Sequence, residues 1–186
     1  MRSPTRIVRL LAALAVAVCA ALCVPAVTPA ADPKPEPKKT VVTVEEARYA
    51  TLDKAVADQK GKVVLVDFWA TWCPPCVKKF PTVVALHGAY KDNGLAVVSV
   101  SLDKGKRGYK LEKVLDFLAD KGATFPNYVV ADAATDGKDI SKRFGLDGSI
   151  PHLALFDKTG ARVWDSTSKP LGDKELKTLI ETELAK

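Results

Sequence analysis

Histidine is scarce in this chain: His87 and His152 are the only two in 186 residues. A zinc site built on a cysteine pair needs two further ligands, so both imidazoles would have to converge on that pair. No resident metal or other cofactor is expected. Cysteine is nearly as scarce, with four in all, and Cys19 and Cys23 fall in an apolar N-terminal stretch, which leaves Cys73 and Cys76 for the body of the protein. A strong excess of one charge sign is also missing. Setting aside Arg2, Arg6 and Arg9 of the N-terminal stretch leaves 25 basic residues against 22 acidic ones, a net of +3. That balance gives no reason to expect a nucleic-acid partner. There is no internal repeat, and this length accommodates one domain plus accessories.

The accessories lie at the start. Arg2, Arg6 and Arg9 precede 15 apolar or small residues at 10–24, and small residues follow at Ala26, Ala30 and Ala31. This is the pattern of an export signal over residues 1–31. The uncharged stretch 10–31 has 22 residues, enough to span a bilayer, so an uncleaved membrane anchor is the competing reading. Pro25 and Pro29 shorten the apolar helix and favour cleavage. Val18 and Leu22, which precede the two cysteines, are too large for a lipid-attachment site. Residues 32–40 alternate proline with charge and cannot bury anything. They read as an extended spacer of about 3 Å per residue, about 25 Å in all.

From residue 41 onward, strand and helix patterns alternate. A short strand at 41–44 precedes a helix capped by Thr51 and running to about residue 59, with Leu52, Ala55 and Val56 inward. Residues 63–69 are apolar on both faces except for Asp67, the mark of a central strand covered on each side. A helix follows to about residue 90, interrupted by Pro81, and residues 95–102 return as a buried strand. Leu111, Val114, Leu115 and Leu118 keep helical spacing across 109–121. A strand at 128–131, a short helix at 139–144, a strand pair at 152–156 and 161–164, and a final helix capped by Asp173 complete the pattern. The architecture expected is α/β, a mixed central sheet flanked by helices.

The chemistry lies at residues 66–76, V-D-F-W-A-T-W-C-P-P-C. Pro74 and Pro75 are suited to opening a helix, so the strand delivers Cys73 and Cys76 to a helix N-terminus. Residues three apart in a first turn lie on one face with Cβ atoms about 5 to 6 Å apart, close to the separation a disulfide needs. The pair is therefore a redox dithiol or a small structural loop. Closing so short a ring restricts the unfolded chain little, so stability is a poor reason for it. Unpaired N–H groups and the helix dipole favour a thiolate at Cys73, making it the attacking nucleophile and Cys76 the resolving thiol.

These residues resemble the thioredoxin superfamily, specifically its exported TlpA/ResA-like thiol-disulfide oxidoreductases. The likeness extends through Ser149-Ile150-Pro151, the apolar strand after it and the turn at Gly160, and covers roughly residues 63–186. Residues 102–131 correspond to the helix-and-strand insertion of that family. The resemblance implies a thioredoxin-like domain over 41–186 and a cis Pro151 beside the dithiol. Trp72, Pro74, Pro75, Ile150, Pro151 and His152 would then form the substrate surface. It further implies protein disulfides as substrates, among them apocytochrome c in cytochrome c maturation. An upstream membrane thiol-disulfide carrier would donate the electrons, and the protein would work in the periplasm or another extracytoplasmic space.

Two departures stand out. The family commonly has glutamate three residues after the second cysteine, where this chain has Lys79. Asp67 matches the buried aspartate of thioredoxins, at a place where many TlpA-like relatives have asparagine. A carboxylate in an apolar strand has its pKa raised, so Asp67 can accept the proton of the resolving thiol. The lysine that partners this aspartate in thioredoxin falls at Ser99 by strand register. Lys104, Lys106, Arg107 and Lys110 read as a solvated loop. The expected function is reduction of specific exported disulfides; the alternatives are an oxidant or isomerase using the same motif, or a thioredoxin-like binding module that does no redox chemistry.

Overall fold

A computed structural model describes residues 41–130 and 133–186. The leader at 1–31 and the spacer at 32–40 lie outside the described residues. In chain order the elements are β1 (Glu45–Ala47), α1 (Tyr49–Ala57), β2 (Val63–Trp69), α2 (Pro74–Tyr90), β3 (Leu95–Ser101), α3 (Leu111–Lys121), β4 (Asn127–Val130), α4 (Ala133–Phe144), β5 (His152–Phe156), β6 (Arg162–Asp165) and α5 (Asp173–Leu184). The strands form one sheet in the order β1-β4-β3-β2-β5-β6. The pairs β1–β4, β4–β3 and β3–β2 are parallel; β5 runs antiparallel to β2, and β6 to β5. The insertion supplies α3 and β4, so it adds a strand to the interior of the sheet through a parallel crossover from β3.

Every residue of β2 is buried, which fits a strand with helices on both faces. Its side chains alternate between two cores. Val63, Leu65 and Trp69 pack with Phe80 and Val83 of α2, Val114 and Leu118 of α3, and Leu176 and Ile180 of α5. Val64, Val66 and Phe68 pack with Leu52 and Val56 of α1 and Ile140 and Phe144 of α4. Phe68 and Trp69, both with no exposed surface, each contribute about 1.5–3 kcal/mol by burial.

Several expected boundaries shift. The first strand lies at Glu45–Ala47, just past the expected 41–44, while Val42 and Val44 pack against the α2-side core. Thr51 does not cap α1, because the chain enters the helix at Arg48 and Thr51 already sits in the first turn, its N–H bonded to the Arg48 carbonyl at 3.0 Å. The helix at 139–144 extends back to Ala133. The added residues 133–138 contain no apolar side chain larger than alanine, so no hydrophobic period marks them. Asp173 is the first residue of α5 and Gly172 occupies the cap position; the Asp173 carboxylate binds α2 instead, as described below. Pro81 lies on the exposed face of α2, where water can satisfy the Val77 carbonyl that it leaves without a donor.

Candidate active site

Strand β2 ends at Trp69, the chain turns through Thr71 and Trp72, and α2 begins at Pro74 with Cys73 as its cap. Cys73 and Cys76 form a disulfide with S–S 2.04 Å and Cα–Cα 5.2 Å. Cys73 is 5% exposed and Cys76 1%, so an incoming group meets the Cys73 sulfur first. Pro74 and Pro75 have no N–H, which makes Cys76 the first residue of the helix able to donate from its backbone. Its N–H points at Cys73 Sγ, 3.3 Å away. On another side Cys73 Sγ lies 3.7 Å from the carbonyl oxygen of Ile150. A thiol there can donate to that oxygen, whereas a thiolate faces the negative end of the carbonyl dipole.

The peptide bond between Ile150 and Pro151 is cis. Pro151 is exposed and Ile150 half-buried. Beside Pro151 runs a groove of about 490 Å³ bordered by Lys79, Ser149, Leu153, Trp164 and Leu171. Pro74 and Pro75 are exposed, as is Trp72 at 45%. The disulfide, cis-proline and exposed tryptophan therefore meet at one surface.

Asp67 is 2% exposed. It stands opposite Ser99 of β3 and Leu153 of β5 and shares the α2 face of the sheet with Leu65 and Trp69. No described residue donates a hydrogen bond to its carboxylate. The hydroxyl of Ser99 is already committed, donating to Asn127 at 2.8 Å and accepting the Trp69 indole N–H at 3.4 Å. Burial lifts the Asp67 pKa from 3.8 to about 7, and the charge of Lys79 pulls it back in part. Lys79 itself forms an ion pair with Asp173 at the start of α5, and Thr82 Oγ1 donates to the same carboxylate at 3.1 Å. The lysine standing where the family has glutamate is thus the cation that acts on Asp67.

His152 does not line the substrate surface as expected. It has no exposed area. It sits directly opposite Phe68, and opposed residues of an antiparallel pair project to the same face, so the ring enters the α4-side core. Nε2 lies 2.9 Å from the Phe144 carbonyl oxygen and Nδ1 3.0 Å from Thr167 Oγ1. Both nitrogens have partners, and the residue ties β5 to α4 and to the turn after β6.

One positioning residue was not expected from the sequence. Asp103, buried in the turn after β3, accepts the Thr71 N–H at 2.9 Å and the Ser101 hydroxyl at 2.7 Å, and also binds the Thr71 hydroxyl. It holds the Thr71-Trp72 turn to the insertion. The only local signal was its place two residues past a buried strand, and its partner lies 32 residues away.

The chain is similar to the thiol-disulfide oxidoreductase ResA of Bacillus thuringiensis, with 33% identity over 103 residues, 55% of this chain and 53% of that protein. It is also similar to the thioredoxin-like protein YneN of Bacillus subtilis, 40% identical over 106 residues, 57% of this chain and 56% of that protein. It spans about half the length of the curated relatives it matches. Among solved structures, a thiol:disulfide interchange protein from Bacteroides sp. aligns with a TM-score of 0.53 at 28% identity, over 69% of this chain and 77% of the other. A thioredoxin-family protein from Chlorobium tepidum shares the fold, with a TM-score of 0.55 at 24% identity over 69% of this chain and 83% of that one. The Redoxin family pattern matches residues 39–180, and with a thioredoxin-like fold of the ResA kind carrying its dithiol at the head of α2, the chain belongs to the Redoxin family.

Proposed function

We propose that this protein is an exported thiol-disulfide oxidoreductase that reduces disulfides in specific extracytoplasmic proteins. The observation that carries this reading is the Cys73–Cys76 pair at the head of α2, its outer sulfur next to the Ile150 carbonyl and its inner partner on the same sheet face as unpaired Asp67.

In the dithiol form, the Cys73 thiolate attacks one sulfur of the substrate disulfide. The substrate S–S bond breaks, a Cys73–substrate bond forms, and the other substrate cysteine leaves as a thiolate that takes a proton from solvent. Asp67 then takes the proton of Cys76, and the resulting thiolate attacks Cys73 Sγ. The mixed disulfide breaks, the second substrate cysteine leaves, and Cys73–Cys76 closes. Two electrons have passed to the substrate, and a thiol donor must return them. By family resemblance that donor is a membrane thiol-disulfide carrier, and apocytochrome c is a substrate of the right chemistry. The basic and apolar leader at 1–31 supports export, whether it is cleaved or kept as an anchor.

The reductant reading is supported by how little holds the Cys73 thiolate. A dithiol whose reduced form is well stabilised is an oxidant. Here the two prolines remove donors and the Ile150 carbonyl opposes the anion, which favours the disulfide and makes the dithiol a reductant. The reduction potential of the purified protein tests this: a value near that of thioredoxin, about −270 mV, is expected, and one near that of DsbA, about −120 mV, reverses the assignment. A Cys76→Ser chain should accumulate substrate adducts on Cys73 in the exporting cell. Absence of such adducts would remove the exchange mechanism.

A further inference from the structure

The loop basic residues, expected to be solvated, gather around the tryptophan next to the nucleophile. Lys106 Nζ lies 4.6 Å from the centre of the exposed Trp72 ring. Arg107, Lys110 and Lys113 join them around a cleft of about 280 Å³ that shares no lining residue with the Pro151 groove. All four cations are exposed. Among the described residues none has an ion-pair partner, whereas Lys104 just before them is paired with Glu46 at 2.6 Å. Asp103 is the carboxylate in the cleft wall, and its oxygens face Thr71 and Ser101. Two further acids lie nearby without lining the cleft, Glu46, which is held by Lys104, and Glu112 in the first turn of α3. The cleft therefore carries four cationic side chains against one carboxylate.

It is also rigidly joined to the dithiol. Asp103 anchors the turn that carries Trp72, and the Leu102 N–H donates to the Trp69 carbonyl at 2.8 Å. Trp72 directly precedes Cys73. The shelf therefore borders the nucleophile, and a polypeptide whose cysteine reaches Cys73 Sγ can lay a neighbouring segment on it.

Resting on the exchange reading above, we infer that the shelf of Trp72, Lys106, Arg107, Lys110 and Lys113 is a docking surface for an acidic segment flanking the disulfide of the protein substrate. Acidic side chains displace Lys106 from the indole face or pair with it there, while Arg107, Lys110 and Lys113 draw the segment in. A free nucleic acid or lipid headgroup has no disulfide to place on Cys73, and the near-even charge of the rest of the chain offers no broader basic face. Charge of this kind acts chiefly on the rate of encounter and weakens with salt.

The test uses the reduced Cys76→Ser chain and two synthetic peptides, each closed by one disulfide. They are identical except that three flanking residues are glutamate in one and glutamine in the other. The rate of mixed-disulfide formation on Cys73 is measured by mass spectrometry. The acidic peptide should react about tenfold faster at low ionic strength, with the ratio falling to within about twofold at 0.5 M salt. Taking a ratio cancels any change in the nucleophile itself. Adding Lys106→Glu and Arg107→Glu should bring the ratio below one, and Lys110→Ala with Lys113→Ala should lower it partway. A ratio near one in the Cys76→Ser chain at low salt, or one unmoved by charge reversal, overturns the inference. Reaction with neither peptide sinks the exchange reading and this inference with it. If the peptides react alike while phosphatidylglycerol vesicles bind the chain in a charge-reversal-sensitive way, the shelf faces membranes and the inference is wrong.

Discussion

Asp67 and His152 occupy neighbouring register positions of adjacent strands, Asp67 opposite Leu153 and His152 opposite Phe68. Both are buried. One step of register sends them to opposite faces of the sheet, since successive residues of a strand alternate. On the α4 face the imidazole finds a carbonyl and a hydroxyl and becomes a structural tie. On the α2 face the carboxylate finds no donor, and its pKa rises to about 7. An unpaired buried acid costs stability and persists where it has chemical use. On the proposed exchange reading, proton handling falls to Asp67 and architecture to His152, and substitutions at each can separate the two.

The largest effect is expected at Asp67. Asp67→Asn removes the acceptor for the Cys76 proton and should slow resolution of the mixed disulfide by about 10²-fold, the usual scale for loss of a positioned base, while slowing attack by Cys73 far less. Rapid-mixing kinetics on a peptide disulfide resolves the two steps, and equal slowing of both would contradict the assignment. Stability carries a second signature. Below pH 3.8 the carboxyl is protonated in both the native and the unfolded chain and contributes nothing. As pH rises to about 7 the unfolded chain ionises first, so native stability falls, and the loss then levels off. A shift from 3.8 to about 7 corresponds to about 4 kcal/mol. Urea unfolding should therefore show the asparagine variant gaining on the parent between pH 4 and pH 8, with little difference at pH 4.

At His152 the expected cost is smaller and of another kind. His152→Ala leaves the Phe144 carbonyl without its partner and opens space beside Phe68, which should lower stability by about 2 kcal/mol. The ratio of attack to resolution should stay that of the parent. A variant of unchanged stability with an altered pH dependence of resolution would break the contrast and bring His152 back to the dithiol.

The elements legible in the sequence are those whose information is local and repeated. The apolar run of β2 around Asp67, the helical spacing of Val114 and Leu118, and the strand-to-cysteine motif each reveal their burial without reference to another part of the chain. Asp67 was legible for the same reason, as the single acid in an apolar strand. His152 was misread because its face depends on the β2–β5 register, which no local pattern encodes. Thr51 and Asp173 are chemically good helix caps, yet Thr51 falls inside its helix and Asp173 serves Lys79 and Thr82 on α2. Lys106 over Trp72 joins positions 34 residues apart, so a cationic loop looked merely solvated.

Lys79 gives the smallest and most discriminating test of the contrast, because it tunes Asp67 without contacting the sulfurs in any hydrogen bond. Its side chain is 22% exposed and held by Asp173, whose opposite charge offsets part of its own. The lysine charge lowers the Asp67 pKa against the larger effect of burial. Lys79→Met keeps most of the stem's volume and removes the cation, so the midpoint of the pH dependence of Cys76 resolution should move upward. The variant retaining only Asp173→Asn loses the ion pair but keeps the lysine, so its midpoint should stay put or move downward as Lys79 is freed from its competing anion. If both substitutions shift the midpoint in the same direction, the ion pair matters through packing of α5 on α2. If neither shifts it, Asp67 is governed by burial alone, and the exchange of the family's glutamate for lysine has no bearing on the proton.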